Sequence, residues 1–173
     1  LPNRRIRFTA QGIWLTLLTL GVGFAALNTG NNLLYLVLGM MLTFIGVSGV
    51  LSELSIQGMR VKRAFSTEIY CDEETPVSLT LENHKRFFPA MGVQVMEIAT
   101  LGVLDVDTTP AFIVFLPAEE LTLVQVPYVF KRRGVHAMPR PLVETTYPFG
   151  LFSRGYRSGA AKEVLVFPKL IPV

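Results

Sequence analysis

From Phe8 to Ser52 the sequence carries no Asp, Glu, Lys, Arg or His, although the 173-residue chain holds 16 Lys and Arg and 13 Asp and Glu. A soluble domain has room to bury one uncharged helix of this kind, but little reason to build two in tandem. Other absences narrow the chemistry. Cys71 is the single cysteine, so no internal disulfide can form, and no Cys/His set has the spacing of a zinc site. There is no glycine-rich phosphate loop. His84 and His136 have no Ser or Cys nucleophile motif beside them. Cys71 is followed by Asp72, Glu73 and Glu74, whose charge disfavours a reactive thiolate. Asp105 and Asp107 form a carboxylate pair with too few further oxygen donors for calcium. The sequence therefore predicts no catalytic constellation, no cofactor site and no metal site.

What fills the uncharged stretch is Leu, Val, Ile, Phe, Met, Ala and Gly, divided at Asn28-Thr29-Gly30-Asn31-Asn32. Each half approaches the roughly 20 residues that span a hydrocarbon layer of about 30 Å. Residues 1–54 are thus expected to form two membrane-spanning helices, at about 9–27 and 33–51, joined by a tight Asn-rich turn. Gly30 permits a positive φ there, and Asn side chains cap helix ends. A signal peptide would share the basic leader. However, a second apolar span follows at once, and no small-residue cleavage site introduces a secreted domain. No ionisable group lies in either span, which argues against an ion or proton pathway.

The charges outside the spans give a topology. Arg4, Arg5 and Arg7 precede the first span; Arg60, Lys62 and Arg63 follow the second; the turn has none. Cytoplasmic loops collect Lys and Arg, so both ends are expected in the cytoplasm and the turn on the far side. The lone thiol suits that compartment. The net charge of +3 comes from the three leading arginines, since 13 basic and 13 acidic residues cancel from Glu53 onward. That distribution is not a nucleic-acid surface.

Residues 55–173 read differently. After a juxtamembrane connection, Glu53–Arg63, apolar residues recur with a period of two. The pattern appears at Val77–Leu81, Gly92–Glu97 and Leu121–Phe130, with shorter runs at Ala111–Leu116, Leu142–Thr146 and Val164–Phe167. Turn signals separate them at Asn83–Arg86, Pro117–Glu120, Lys131–Gly134 and Phe149-Gly150. The prolines, Pro76 and Pro127 among them, suit strand edges and turns better than helix interiors. The fold class expected is a membrane helical hairpin followed by an all-β antiparallel, immunoglobulin-like sandwich.

Three stretches carry a family likeness: AALNTGNNLLYLVLGMMLTFIGVSGVLSEL (Ala25–Leu54), FKRRGVHAMPRPLVETTYPFGLFSR (Phe130–Arg154) and VLVFPKLIPV (Val164–Val173). Together they resemble the amino-terminal half of the bacterial family called domain of unknown function 58. The resemblance implies a paired membrane span, a β-sandwich segment, and a von Willebrand factor A-like domain beginning beyond Val173. It also implies a genetic neighbour, a MoxR-type AAA+ ATPase. Both ends of the chain, Leu1 and the strand-like run before Val173, are expected to be cuts in a longer protein.

The function expected is a non-catalytic scaffold in the bacterial inner membrane, in contact with the lipid bilayer and with protein partners. Contact residues are expected at Asn28, Asn31 and Asn32 in the turn. Arg132, Arg133, Phe149 and Phe152 are the contact residues expected on the soluble surface. The bland roles for these positions are a tight interhelical turn, a solvated strand-end turn around Gly134, and an aromatic corner built on Pro148 and Gly150. Two other functions are consistent with the residues. One is the membrane half of an enzyme whose active site lies in another domain or subunit. The other is an accessory subunit recruited through Gly21, Gly23, Gly39, Gly46 and Gly49.

Overall fold

The computed structural model describes residues 4–65, 68–96 and 106–169. Strand β1 (Arg5–Phe8) leads into helix α1 (Ala10–Thr29), and α2 (Asn32–Ile56) returns beside it. Ten strands follow: β2 (Met59–Ala64), β3 (Glu74–Asn83), β4 (Ala90–Met96), β5 (Val106–Thr108), β6 (Ala111–Leu116), β7 (Leu121–Phe130), β8 (Gly134–Met138), β9 (Leu142–Thr145), β10 (Phe152–Arg157) and β11 (Lys162–Val166).

The hairpin forms because its ends are capped and its threonine hydroxyls bond to the helix backbone. Thr9 accepts a hydrogen bond from the Gly12 amide at 3.0 Å, closing the start of α1. Gly30 ends α1 in the left-handed region, φ 62°, with its N–H on the Ala26 carbonyl. Asn31 then caps α2 through the Leu33 amide at 2.9 Å. Thr16, Thr19, Thr29 and Thr43 each donate to the carbonyl four residues back, at 2.8 Å. Such back-bonding gives these four threonine hydroxyls an acceptor on an otherwise apolar helix. Gly12, Thr19 and Ala26, seven residues apart, are the buried positions of α1. Most of the remaining hairpin surface is exposed apolar side chain, Trp14, Phe24, Leu27 and Met40 included. Both helices are long and apolar enough to cross a membrane.

The strands build antiparallel sheets in the orders β1-β10-β9-β4-β6 and β2-β3-β7-β5, with β8 and β11 as a separate pair. The alternation works as anticipated. On β3, Val77, Leu79 and Leu81 point inward, and on β7 so do Val126, Tyr128 and Phe130. They join Val93, Val95, Ile113 and Val143 of the first sheet in one core. Pro76 and Pro127 sit directly opposite each other inside the β3–β7 ladder. Each lies where the neighbouring strand on its other side has ended, β2 at Ser78 and β5 at Tyr128, so the missing N–H interrupts no ladder there.

Two features differ from expectation. Residues 5–8 are an edge strand on β10, rather than only a charged leader. Helix α2 continues to Ile56, past the expected end near residue 51, and Ile56 is buried in the β core. The physical reason is a polar seam. Ser48, Ser52 and Ser55 are buried on α2, and these small side chains allow the helix to lie against β4, β9 and β10.

Candidate functional site

Where the hairpin meets the β domain, three separate sets of contacts fix one to the other. At the base of α1, the Thr9 amide donates to the Leu151 carbonyl at 3.2 Å, and the Thr9 hydroxyl reaches the Gly150 and Leu151 carbonyls. The approach is so close that a Cβ on Gly12 would lie 2.2 Å from the Leu151 oxygen. Gly150 supplies the turn, φ 66°.

At the end of α2, Lys85 takes over the role a C-terminal cap normally plays. Its Nζ donates to the carbonyls of Leu54 (2.7 Å), Ser55 (2.6 Å) and Pro89 (3.0 Å). Two of these belong to the last helical turn, whose carbonyls have no intrahelical partner and carry the negative end of the helix dipole. Burial draws the Lys85 ammonium down to about 8. Beside it, the Ser55 hydroxyl donates to the Met91 carbonyl at 2.6 Å and accepts from the Met91 amide at 2.8 Å.

The third set is ionic. Glu53 bridges Arg4 at 2.7 Å and Arg154 on β10. The Tyr156 hydroxyl donates to the carbonyls of Ile56 (3.2 Å) and Met59, and burial pushes it up to about 12.

The residues anticipated as contacts fall into separate places. Asn28, Asn31 and Asn32 are exposed at the hairpin tip, where Asn31 is the α2 cap. Arg132 and Arg133 are exposed in the β7–β8 turn, where the His136 ring donates to the Arg132 carbonyl at 2.7 Å. The aromatic corner lies against the hairpin: Phe149 packs on Phe44 with centroids 4.3 Å apart, and Phe152 on Phe8 at 5.0 Å. Phe152 also lies 3.7 Å from the position of a Cβ on Gly49. Gly21, Gly39 and Gly46 face open space. Of the paired aspartates, Asp105 lies outside the described residues, and Asp107 bonds Lys131 at 2.6 Å. Among the described residues no group of three His, Cys, Asp or Glu side chains is placed to hold a metal ion.

Sequence reasoning missed a cleft of about 510 Å³ beside the end of α2, lined by Arg4, Arg60, Lys62, His84, Arg140 and Arg157. These residues come from five chain segments, and no spacing pattern links them. Glu82, which bonds two of these residues, is already engaged: hydrogen bonds from Lys62, then from His84, hold its carboxyl below the usual range. No family model and no curated protein matches this chain.

Proposed function

We propose that the chain is a non-catalytic integral membrane scaffold of the bacterial inner membrane, whose hairpin spans the bilayer and presents an immunoglobulin-like β-sandwich at the cytoplasmic face. The observation that carries this is the junction. A domain merely tethered to an anchor needs a flexible linker. Here the linker is replaced by a shared strand, β1, a helix end capped by the domain's own Lys85, and an aromatic corner seated on the hairpin. Such a connection fixes the height and orientation of the domain over the membrane, which is what an interaction platform requires.

The depth of the corner fits the same picture. Asn32 begins α2 and Phe44 lies twelve positions further on, about 18 Å along the axis. The Phe149 ring packed on it is thus inside a hydrocarbon layer of about 30 Å that starts at the hairpin tip. Arg4, Arg5 and Arg7 gather at the opposite, open end of the hairpin with Arg60 and Lys62, the distribution expected for a cytoplasmic side.

The partner we propose follows from the family resemblance: a MoxR-type AAA+ ATPase, contacting the exposed turn at Arg132 and Arg133. The test is binding of a purified MoxR-type AAA+ ATPase to the full chain in lipid nanodiscs. The expected result is saturable binding that an Arg132→Glu/Arg133→Glu variant weakens at least tenfold. Absence of binding, or binding unchanged in the variant, would contradict the proposal.

A further inference from the structure

The basic cleft beside α2 has the chemistry of an anion site that the scaffold role does not use. Its walls are fixed. Arg63 donates to the Pro139 carbonyl at 2.9 Å and so holds the segment that carries Arg140. The Ser158 amide donates to the Pro141 carbonyl at 3.0 Å, while the Ser158 hydroxyl accepts from the Val61 amide at 3.2 Å. Gly159 then passes so close to β2 that a Cβ would lie 2.4 Å from the Val61 oxygen, and its φ is 82°. These contacts hold Arg140 and Arg157 in one cleft with Arg60 and Lys62.

The charges in the cleft are unequally compensated. Lys62 and His84 share Glu82, and Arg4 is held by Glu53. Arg60, Arg140 and Arg157 are exposed and have no ion pair or hydrogen bond from their side chains among the described residues. Three guanidinium groups converging on a concavity repel one another, and low-dielectric walls focus their field. Met59, Val61 and Tyr156 provide such walls. Guanidinium presents a planar fork of donors that matches phosphate oxygens.

The position of the cleft narrows the ligand. It opens at Gly58, just past the 25 residues of α2, about 37 Å along the helix from the hairpin tip. A bilayer with its headgroups is about 40–45 Å thick. The cleft therefore stands at the height of the phosphates of the leaflet beneath the β domain.

We infer that this cleft binds an anionic phosphate group, with Arg60, Arg140 and Arg157 as its ligands. The spanning arrangement proposed above bears only on where the phosphate comes from, a lipid headgroup or a soluble phosphate. The site itself stands on the cleft.

The test is thermal unfolding of the purified full chain in neutral detergent. Short-chain phosphatidylglycerol, short-chain phosphatidylcholine and inorganic phosphate are each titrated against it. Saturating phosphatidylglycerol is expected to raise the midpoint by roughly 5 °C, and phosphatidylcholine is expected to leave it unchanged. The Arg140→Gln/Arg157→Gln variant should keep its ligand-free midpoint and lose the shift. Arg60→Gln alone should weaken it, and Arg5→Gln/Arg7→Gln, outside the cleft, should retain it. A shift with inorganic phosphate at equal concentration supports the same site and assigns it a soluble ligand. No shift with either anion, a shift surviving in the Arg140/Arg157 variant, or an equal loss in the Arg5/Arg7 variant would overturn the inference. A failure of the chain to span the membrane would leave these outcomes unaffected.

Discussion

The Lys85 ammonium donates to the Leu54 carbonyl at 2.7 Å, so a side chain from a loop of the β domain terminates the second apolar helix. The two residues are far apart in sequence and belong to different structural units. Neither unit has a complete hydrogen-bond complement without the other: α2 would lose the donor to its Leu54 and Ser55 carbonyls, and the partly buried Lys85 ammonium would keep only the Pro89 carbonyl as an acceptor.

Replacing Lys85 with Met keeps the aliphatic stem and leaves the Leu54, Ser55 and Pro89 carbonyls without their donor. The expected loss is about 1–3 kcal/mol of stability near pH 7, read by chemical unfolding in mild detergent. The pH dependence has a defined sign. Between about 8, where burial places the folded group, and its ordinary 10.5, the unfolded chain holds a proton that the folded chain has released. The wild-type protein should therefore gain stability from this group as pH rises through that window. Lys85→Met should lack this gain, so the gap between the two proteins should widen.

Glycine at position 12 is required by a contact. Alanine inside a helix normally gains up to about 1 kcal/mol over glycine. At Gly12 the added methyl would meet the Leu151 carbonyl oxygen at 2.2 Å, and neither backbone can swing away as a side chain would. Gly12→Ala should destabilise the protein by about 1–3 kcal/mol. Gly21→Ala, with nothing within 4 Å of the new methyl, should cause no loss. Calorimetric unfolding of the two variants side by side checks this.

Tyr156 marks the alkaline limit of the junction. Its folded phenol is pushed up to about 12, above the ordinary 10. Between those values the unfolded chain ionises while the folded one does not, so stability present below pH 10 is lost progressively toward pH 12. The expected loss is roughly 2–3 kcal/mol. Tyr156→Phe should cost about 1 kcal/mol at pH 7, through its bonds to the Ile56 and Met59 carbonyls. Above pH 10 it should show a flatter profile, followed by circular dichroism.

Much of the architecture was legible because it rests on short-range patterns. The absence of charge over Phe8–Ser52 marked the hairpin, and Asn28–Asn32 marked its turn. Alternation located β6 and β7 at Ala111–Leu116 and Leu121–Phe130, as observed. Strand β1 was not legible although Arg5-Ile6-Arg7-Phe8 alternates, because its arginines answer equally well to a topology signal. The extension of α2 to Ile56 was hidden by Glu53, a charge whose partners, Arg4 and Arg154, lie far off in sequence. The same limit hid Lys85, which sits in a stretch whose composition spells only a turn. It hid the cleft too, since Arg60, Arg140 and Arg157 converge only once β2, β10 and the segment after β8 are folded together.

The claim on which the rest depends is that lipid surrounds the hairpin. Trp14 is the only tryptophan, lies near the start of α1 and is 72% exposed, so it reports its solvent directly. In vesicles containing brominated phospholipid, its fluorescence should be quenched by bromine, more strongly when the bromine sits near the headgroup than near the chain end. It should also be shielded from aqueous iodide. Quenching by iodide with no effect of lipid bromine would contradict the membrane-spanning hairpin and the scaffold built on it.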